Sequence, residues 1–475
     1  MTNNTLNPPR KRMLLLVPLA FALAGCATFS QDGGFGSVEQ TTQARIGKEL
    51  KWAKTDADRD VIDQRVAELL AKPLSVGDAV QIALLNNKGL QASFFELGIS
   101  EADLVQAGRL PNPHFSMLRA RNGDEFAIEQ IFTFNVFSLI TMPQVVEIEK
   151  RRFAQAQRAI TMQTLSLAAE TRKAYYLAIA ADQTLNYTEQ VRRTAEAGAE
   201  LGRRMAQVGN WSKLQQAREQ SFYADAALNL ARAGQAQTAA REKLTRLLGL
   251  WGERAQFKLP PRLPDLPKLA NDLPEVEQLA MEQRLDVQAA KLDTEALAKN
   301  LGLTRTTRFI NVLEFGPARV LEGQRSEPYK RGYEVSLELP LFDWGTAKVA
   351  KAEALYMQAV YRAAETAIDA RSEVREAYHG YSSSFDIAKH YRDEIVPLRK
   401  RIAEENQARY NGMIIGVFEL LADARAQISS VNSYIEALRD FWIAQADLEM
   451  ALMGKPSLGA APKTKMAGAE AAAAH

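Results

Sequence analysis

The sequence predicts a mainly helical protein with two pairs of short strands, built on one structural plan that the chain follows twice. In each copy, a helix leads into two strand-like segments, a very long helix, a glycine-marked reversal and a returning helix. Long proline-free patterns, alternating strand patterns and an internal repeat support this prediction. Each copy holds too few strands for a barrel and too much helix for a compact globule. We therefore expect the chain to close only with other copies of itself.

The internal repeat is visible at low identity. LeuGlnAla at 90–92 recurs as ValGlnAla at 287–289, which lies 197 positions later, and the same offset relates Ala83 to Ala280. Matches of Ala and Leu between helices arise easily by chance. It is the common order of these features along the chain that predicts a twofold structural repeat.

The long helical patterns predict a rod or tube. The segment 144–207 contains no proline, and at about 1.5 Å per residue it would reach roughly 96 Å if unbroken. A pattern of similar span covers 346–410, with Asp343 as a candidate N-terminal cap and Pro397 as an expected kink.

Each long helix is followed by a reversal and a shorter helix. Gly209 and Gly412 mark the two reversals and lie 203 positions apart. Helices are expected to return at 213–249 and 417–452, where Leu214 and Val417 resume the apolar pattern.

The two pairs of strand-like segments carry alternating side chains. They lie at 114–121 and 125–137, within a hairpin at 113–137, and at 309–320 and 332–341, within a hairpin at 308–342. In the last segment, apolar residues from Tyr333 to Leu341 alternate with Glu334, Ser336 and Glu338. This pattern is expected of a strand with lipid on one side and water on the other, and equally of a sheet packed on a soluble core.

Residues 1–25 have the layout of an export signal. Three basic residues at 10–12 precede an apolar run at 13–23, and Cys26 follows a small-residue cleavage pattern. The layout resembles a bacterial lipoprotein signal, which implies that Cys26 is acylated and becomes the mature N-terminus. The alternative is an ordinary signal peptide with an incidental cysteine. A single cysteine excludes internal disulfides and thiolate metal clusters.

The balance of charge gives no support to nucleic-acid binding. The chain has 59 Lys and Arg against 57 Asp and Glu, and removal of three basic residues with the signal leaves 56 against 57. Outside the N-terminus the sequence has no run of about 18 apolar residues, so no helix of the mature protein is expected to span a bilayer.

Motifs of enzymes and metal sites are not found in the sequence. The histidines lack a metal-ligand spacing such as HExxH, and no glycine-rich phosphate loop is present. They lie at His114, His379, His390 and His475. We expect no catalytic residue, no metal site and no cofactor.

Four motifs together resemble the outer-membrane efflux protein family, of which the TolC channel is the best-known member. They are the run 74–109 with Asn86 and Asn87, LeuProAsnPro at 110–113, LeuProLeuPheAspTrpGly at 339–345, and TyrAsnGly with GluLeuLeu within 410–421. The similarity covers the chain from about Leu74 to Met453.

The resemblance implies a trimer. Three chains would contribute four strands each to one twelve-stranded membrane β-barrel, which a long α-helical barrel continues. In this interpretation the chain has a lipoprotein signal peptide at 1–25, an N-terminal tether and equatorial segment at 26–73, a first repeat at 74–250, an equatorial linker at 251–273, a second repeat at 274–453 and a disordered tail at 454–475.

The resemblance also gives the two reversals a role. They would form the periplasmic tips, at 208–212 and 411–416, where a periplasmic adaptor protein docks. The expected contacts are Gly209, Trp211, Ser212, Gly412, Met413 and Ile414, with Trp211, Met413 and Ile414 exposed; the alternative is that these side chains pack on neighbouring helices. Ser212 and Gln215 are spaced as a capping box for the returning helix.

Tyr410, Glu419 and Asp423 match the family's periplasmic aperture, with the second acid displaced by one position. In a trimer the two acids would form a ring that attracts cations, although a solvated helix face explains them equally well. Ile415 stands where some members carry a locking Arg.

The resulting hypothesis is a lipid-anchored exit duct in the outer membrane of a Gram-negative bacterium. Its partners would be an adaptor and an inner-membrane pump of the RND type, with a cargo that the sequence does not specify. The alternative is a soluble periplasmic coiled-coil scaffold or adaptor that is tethered only by Cys26.

Overall fold

The computed structural model describes residues 28–270, 272–309 and 312–456. The predicted signal peptide, Cys26 and all but the first three residues of the predicted tail lie outside the described residues. The described chain forms two compact units, to which both predicted repeats contribute. We call 28–38, 94–159 and 288–366 the strand unit, and 39–93, 160–287 and 367–456 the helical unit.

Helices account for most of the described residues. They are α1 (Phe35–Ile46), α2 (Asp56–Leu70), α3 (Val76–Asn86), α4 (Lys88–Ala107), α5 (Val136–Gln207), α6 (Lys213–Leu248), α7 (Val276–Gln283), α8 (Leu285–Thr307), α9 (Thr346–His390), α10 (Val396–Asn411) and α11 (Val417–Met453), with a short 3₁₀ turn at Gly252–Ala255. Among the described helices, none is both long enough and apolar enough to cross a membrane.

The strand unit contains one antiparallel sheet. Its strands are β1 (His114–Asn122), β2 (Glu125–Asn135), β3 (Leu313–Gln324) and β4 (Lys330–Leu337). They pair in the order β1-β2-β3-β4, so both predicted hairpins are present and join through β2 and β3. The second hairpin is displaced from its expected bounds, because β3 runs past Val320 to Gln324 and β4 ends at Leu337.

The two faces of the sheet differ in chemistry. In the register of the strands, one face carries most of the exposed large apolar side chains, with Leu321 buried among them. The exposed ones are Phe115, Met117, Phe132, Phe134, Phe315, Tyr333, Val335 and Leu337. We call this face the apolar face. The other face, here the acidic face, carries Glu125, Glu129, Glu314, Glu322 and Glu334. No core within the described chain covers these exposed side chains of the apolar face. The sheet therefore does not match the alternative of a sheet packed on a soluble core.

The first long helix begins earlier than expected. β2 ends at Asn135, whose Oδ1 accepts a hydrogen bond of 2.8 Å from Ser138 N, as a helix cap does. α5 therefore starts at Val136 and not near Gln144, and it contains Pro143. The missing proline N–H removes one helical hydrogen bond, yet the helix continues through it.

The second long helical segment is interrupted near Pro397. A π-helical turn at Tyr391–Ile395 lies between α9 and α10, and Pro397, which has no N–H, follows it directly while the backbone stays helical. Asp343 Oδ1 accepts a hydrogen bond from Gly345 N at 2.8 Å. Asp343 thus orders the approach to α9 and does not cap its first turn.

The helix that leads into the strands, predicted as a single element in each copy, is broken in both copies. Asn87 separates α3 from α4 at φ −64° and ψ 118°. Arg284 separates α7 from α8 at φ −64° and ψ 125°. Arg284 lies 197 positions after Asn87. The prediction of a continuous helix is wrong, whereas the same break at the predicted offset supports the internal repeat.

The side chains at the two breaks reach the end of the returning helix of their own copy. Asn87 Nδ2 donates to Leu247 O at 3.0 Å, and Arg284 Nη1 donates to Ala451 O at 3.4 Å. Because the last carbonyls of a helix lack partners within it, both side chains act as caps. Arg284 is only 1% exposed and is paired with Asp286 at 2.6 Å.

The core of the helical unit is aromatic at its centre. Phe441 packs against Phe385, and Trp442 stacks on Tyr176 with ring centroids 5.2 Å apart. The predicted linker 251–273 closes over this core, where Trp442 Nε1 donates to Pro264 O at 3.1 Å. These contacts position the helices that carry the two reversals.

Candidate functional site: the two helix reversals

The first reversal ends α5 with two backbone hydrogen bonds around a left-handed residue. Asn210 N donates to Met205 O at 2.9 Å and Gly209 N donates to Ala206 O at 3.2 Å, while Gly209 has φ +79°. This is a Schellman motif, for which glycine is favoured. Ser212 and Gln215 then form the predicted capping box at the start of α6, so that prediction is confirmed.

The second reversal repeats this geometry with a different residue at the left-handed position. Ile414 N donates to Arg409 O and Met413 N donates to Tyr410 O, both at 2.9 Å. Met413 has φ +61°, whereas Gly412 has φ −81°. The counterpart of Gly209 is therefore Met413, at an offset of 204, and not Gly412 as expected. A side chain at this φ is strained by about 1–2 kcal/mol.

Trp211 does not have the exposure that the sequence analysis expected. Its side chain is only 8% exposed. A Cβ atom added to Gly202 would lie 3.0 Å from the Trp211 ring, so Gly202 on α5 provides the space that the ring occupies. Trp211 therefore packs inside the first reversal. Burial of its large apolar ring surface is more favourable than leaving that surface in contact with water.

Other apolar side chains are exposed at the reversals. Met413 is 92% exposed, and Ile414 is also exposed. At the first reversal the exposed apolar side chains are Val208 and Leu214, which the sequence analysis did not select as contacts. Their position beside the reversal does not by itself identify them, because Trp211 lies between them in the chain and is buried.

A buried ion pair links the returning helices of the two copies. Arg425 Nη2 on α11 lies 2.6 Å from Glu219 Oε2 on α6, and the Glu219 side chain is 2% exposed. The Arg425 guanidinium also lies over the ring of Phe222, at 4.3 Å from its centroid. This pair could not be predicted from the sequence, since no pattern within either helix indicates a partner so far away in the chain.

The acid that corresponds to Glu219 in the second copy has a different partner. Asp423 lies 204 positions after Glu219 and is half-buried. Its Oδ2 accepts a hydrogen bond from Asn406 Nδ2, and Asn406 corresponds to Gly202 at the same offset. Gly202 of the first copy thus leaves space for Trp211, whereas Asn406 at the same position of the second copy binds Asp423.

Glu419 and Tyr410 lie on either side of the second reversal, and both are exposed. Glu419 is the third residue of α11, where Gln215 of α6 completes a capping box. Gly416 has no hydroxyl group, and α11 begins without a side-chain cap. The Glu419 carboxylate is therefore not held at the helix start as the Gln215 side chain is.

Charged side chains also lie on the last turns of α5. Hydrogen bonds from Arg203 and Arg204 lower the pKa of Glu200 to about 2. Glu200 stays ionised at neutral pH and holds both guanidinium groups close to the helix surface. The end of α5 therefore keeps a fixed charge pattern beside the first reversal.

Arg425→Met should destabilise the helical unit by about 3 kcal/mol, because it leaves the Glu219 carboxylate buried without a counter-charge. Adding Glu219→Gln should restore most of the loss. Urea unfolding of the purified protein, followed by tryptophan fluorescence, measures both effects.

Arg409→Met is the matched control for this pair. It removes an exposed contact with Glu405 at 3.9 Å and should change stability by less than about 1 kcal/mol. Equal effects of Arg425→Met and Arg409→Met would contradict a structural role for the buried pair.

The chain is similar in sequence to a known metal-resistance protein. No family model matches the chain. It is 24% identical over 286 residues to the cobalt-zinc-cadmium resistance protein CzcC of Cupriavidus metallidurans, over 58% of this chain and 64% of that protein. The match thus spans slightly less than two thirds of the length of this curated relative.

Solved structures share the fold over most of the chain. CusC, whose structures concern transmembrane channel formation, has a TM-score of 0.67 at 18% identity, over 80% of this chain and 92% of its own. The CmeC outer-membrane channel of Campylobacter jejuni has a TM-score of 0.66 at 16% identity, over 85% of this chain and 89% of its own. The motif resemblance is confirmed at the level of the fold: this chain shares the fold of the solved CusC and CmeC outer-membrane channel structures.

Proposed function

We propose that this chain is one subunit of a homotrimeric outer-membrane channel, the passive exit duct of a tripartite efflux system in a Gram-negative bacterium. The observation that supports it is the sheet, whose apolar face is exposed and whose edge strands β1 and β4 each have one unpaired side within the described chain. Unpaired strand edges are not tolerated in lipid, so the sheet must close with other sheets. Three copies supply twelve strands, enough for a barrel with an open bore.

The two faces of the sheet fit the two environments of such a barrel. The apolar face contacts lipid, and the acidic face lines the water-filled bore. The helices then continue the duct into the periplasm, and an acyl chain on Cys26 anchors the mature N-terminus to the membrane.

The exposed apolar side chains at the reversals fit a docking surface for a periplasmic adaptor. Met413, Ile414, Val208 and Leu214 supply the surface, and the adaptor connects the duct to an inner-membrane pump of the RND type. Strain at Met413 supports the proposal, because a glycine would relieve it and lose the side chain. Gly209, Ser212 and Gly412 belong to the same docking tips, whereas the buried Trp211 shapes the first reversal from within.

The acids of the second reversal fit a cation-attracting aperture. We place Glu419 as its main charge, with Asp423 behind it and Tyr410 narrowing the opening. The relative CzcC is named for resistance to cobalt, zinc and cadmium, and cations of this kind are the cargo that we propose for this chain.

The channel is distinguished from a tethered scaffold by its assembly. The wild-type protein should run as a heat-modifiable trimer from the outer-membrane fraction. Cys26→Ser should stay in that fraction, because the strands hold the protein in lipid without the acyl chain. Release of Cys26→Ser into solution as a monomer would support the scaffold.

Met413→Gly should keep the trimer intact while weakening adaptor cross-linking at least fivefold, since it removes an exposed side chain and relieves backbone strain. Leu228→Gly is unsuitable as a control because it breaks a helix. Leu228→Ala is the matched control, since Leu228 is exposed in the middle of α6. Equal cross-linking of Met413→Gly and wild type would remove Met413 from the docking surface.

Glu419→Gln should reduce the preference of the open trimer for Zn²⁺ over Cl⁻ in planar bilayers by about twofold or more, because the ring loses three negative charges. Glu436→Gln, on the same helix, serves as the control. An unchanged reversal potential for Glu419→Gln would exclude a selective ring.

A further inference from the structure

The apolar face carries arginines toward the hairpin turns. Arg119 and Arg121 on β1, Arg319 on β3 and Arg331 on β4 share this face in the register of the strands, and all four are exposed. The strand residues of this face include no acidic side chain, whereas the opposite face carries five glutamates. The strand arginines and glutamates therefore lie on opposite faces of the sheet.

Toward the turns, the arginines follow the exposed apolar side chains of their own strands, while Phe126, Ile128 and Leu321 share this part of the face. On β4, Arg331 lies two positions before Tyr333 in the chain and on the same face. It is about 7 Å closer to the hairpin turn along the strand. Charged side chains are strongly unfavourable at the middle of a bilayer and nearly neutral at its interface. In a barrel, the arginines would therefore mark the interface at the end of the hairpin turns.

Two of these arginines lie directly opposite each other. Arg319 and Arg331 are Cα partners on β3 and β4, so their side chains project side by side from one face. Like charges in such a pair destabilise a sheet unless an anion lies between them. No strand residue of this face is acidic, which leaves the position suited to an anion from outside.

The other two arginines differ in their surroundings. Arg121 Nε donates to Gly123 O at 2.7 Å within the β1-β2 turn, and its guanidinium is 3.8 Å from Asp124. Arg119 lies over the Phe126 ring at 5.9 Å from its centroid, a contact that leaves its N–H groups available. Arg119 is therefore the third candidate contact, whereas Arg121 belongs to the turn.

We propose that Arg319 and Arg331, assisted by Arg119, bind the phosphate groups of anionic lipid headgroups in the leaflet at the hairpin turns. Guanidinium groups match phosphate oxygens with paired hydrogen bonds, and the adjacent apolar side chains receive the acyl chains of the same lipid. This inference rests on the proposed function, because it requires the apolar face to lie in a membrane.

The test measures lipid retention by purified trimers with native mass spectrometry. Wild-type trimers in detergent are titrated with lipid A, a bisphosphorylated glycolipid, and with phosphatidylcholine. We expect lipid A to be preferred, and Arg319→Gln and Arg331→Gln each to weaken its binding about fivefold. Each single variant is measured separately, so that failure of a double variant to assemble does not affect the result.

Lys330→Gln is the matched control. It removes the same charge from the same strand, but Lys330 lies on the acidic face, where it pairs with Glu322 at 2.9 Å. Its lipid A binding should remain within twofold of wild type. Equal binding by wild type and both arginine variants would overturn the proposal. Full displacement by millimolar inorganic phosphate would also overturn it, because the site would then recognise the free ion and not the lipid.

Failure of the lipid site and failure of the channel have different signatures. If wild-type trimers form in the outer membrane but do not prefer lipid A, the lipid site is wrong and the channel stands. If no membrane trimer forms, the proposed function itself is wrong.

Discussion

The unpaired edges of a four-stranded sheet are the constraint on which the assembly of this protein depends. The backbone N–H and C=O groups on the outer sides of β1 and β4 need partners, and the exposed apolar face needs a cover. Water can satisfy the edges but not the face, and lipid can cover the face but not the edges. Closure with further copies in a membrane satisfies both, which is why the proposed channel follows from the sheet more directly than from any single residue.

The internal repeat preserves geometry while exchanging its chemistry. Asn87 and Arg284 break equivalent helices at nearly identical backbone angles and cap equivalent returning helices. The amide does so as a neutral donor, whereas the guanidinium is buried and needs Asp286 and Glu373, at 2.6 and 2.7 Å. Removing one member of such a buried group is strongly destabilising. The second copy therefore depends on a charge network where the first depends on the neutral amides of Asn86 and Asn87.

Features set by neighbouring residues could be predicted from the sequence, and features set by distant ones could not. Alternation gave the strands, and the spacing of Ser212 and Gln215 gave the capping box. Trp211 was expected to be exposed because nothing nearby in the sequence shows that Gly202 makes room for its ring. The break at Arg284 was missed for the same reason, since its helical pattern is continuous and only tertiary partners favour the extended backbone. The adaptor surface and aperture remain predictions, argued from exposure and charge.

The differences between the reversals argue that they do not perform the same task. The first has the residues that a stable reversal favours: glycine at the left-handed position, a complete capping box and a buried tryptophan. The second has Met413 at that position and Gly416 as its cap. The strained backbone of Met413 and the missing side-chain cap each lower the local stability. These two differences leave the apolar side chain of Met413 and the acidic side chain of Glu419 exposed at the second reversal. A reversal that is less stable and more exposed opens at lower energy, and opening is what an aperture requires. The second reversal is therefore the better candidate for the moving part of the duct, with the first as its fixed support.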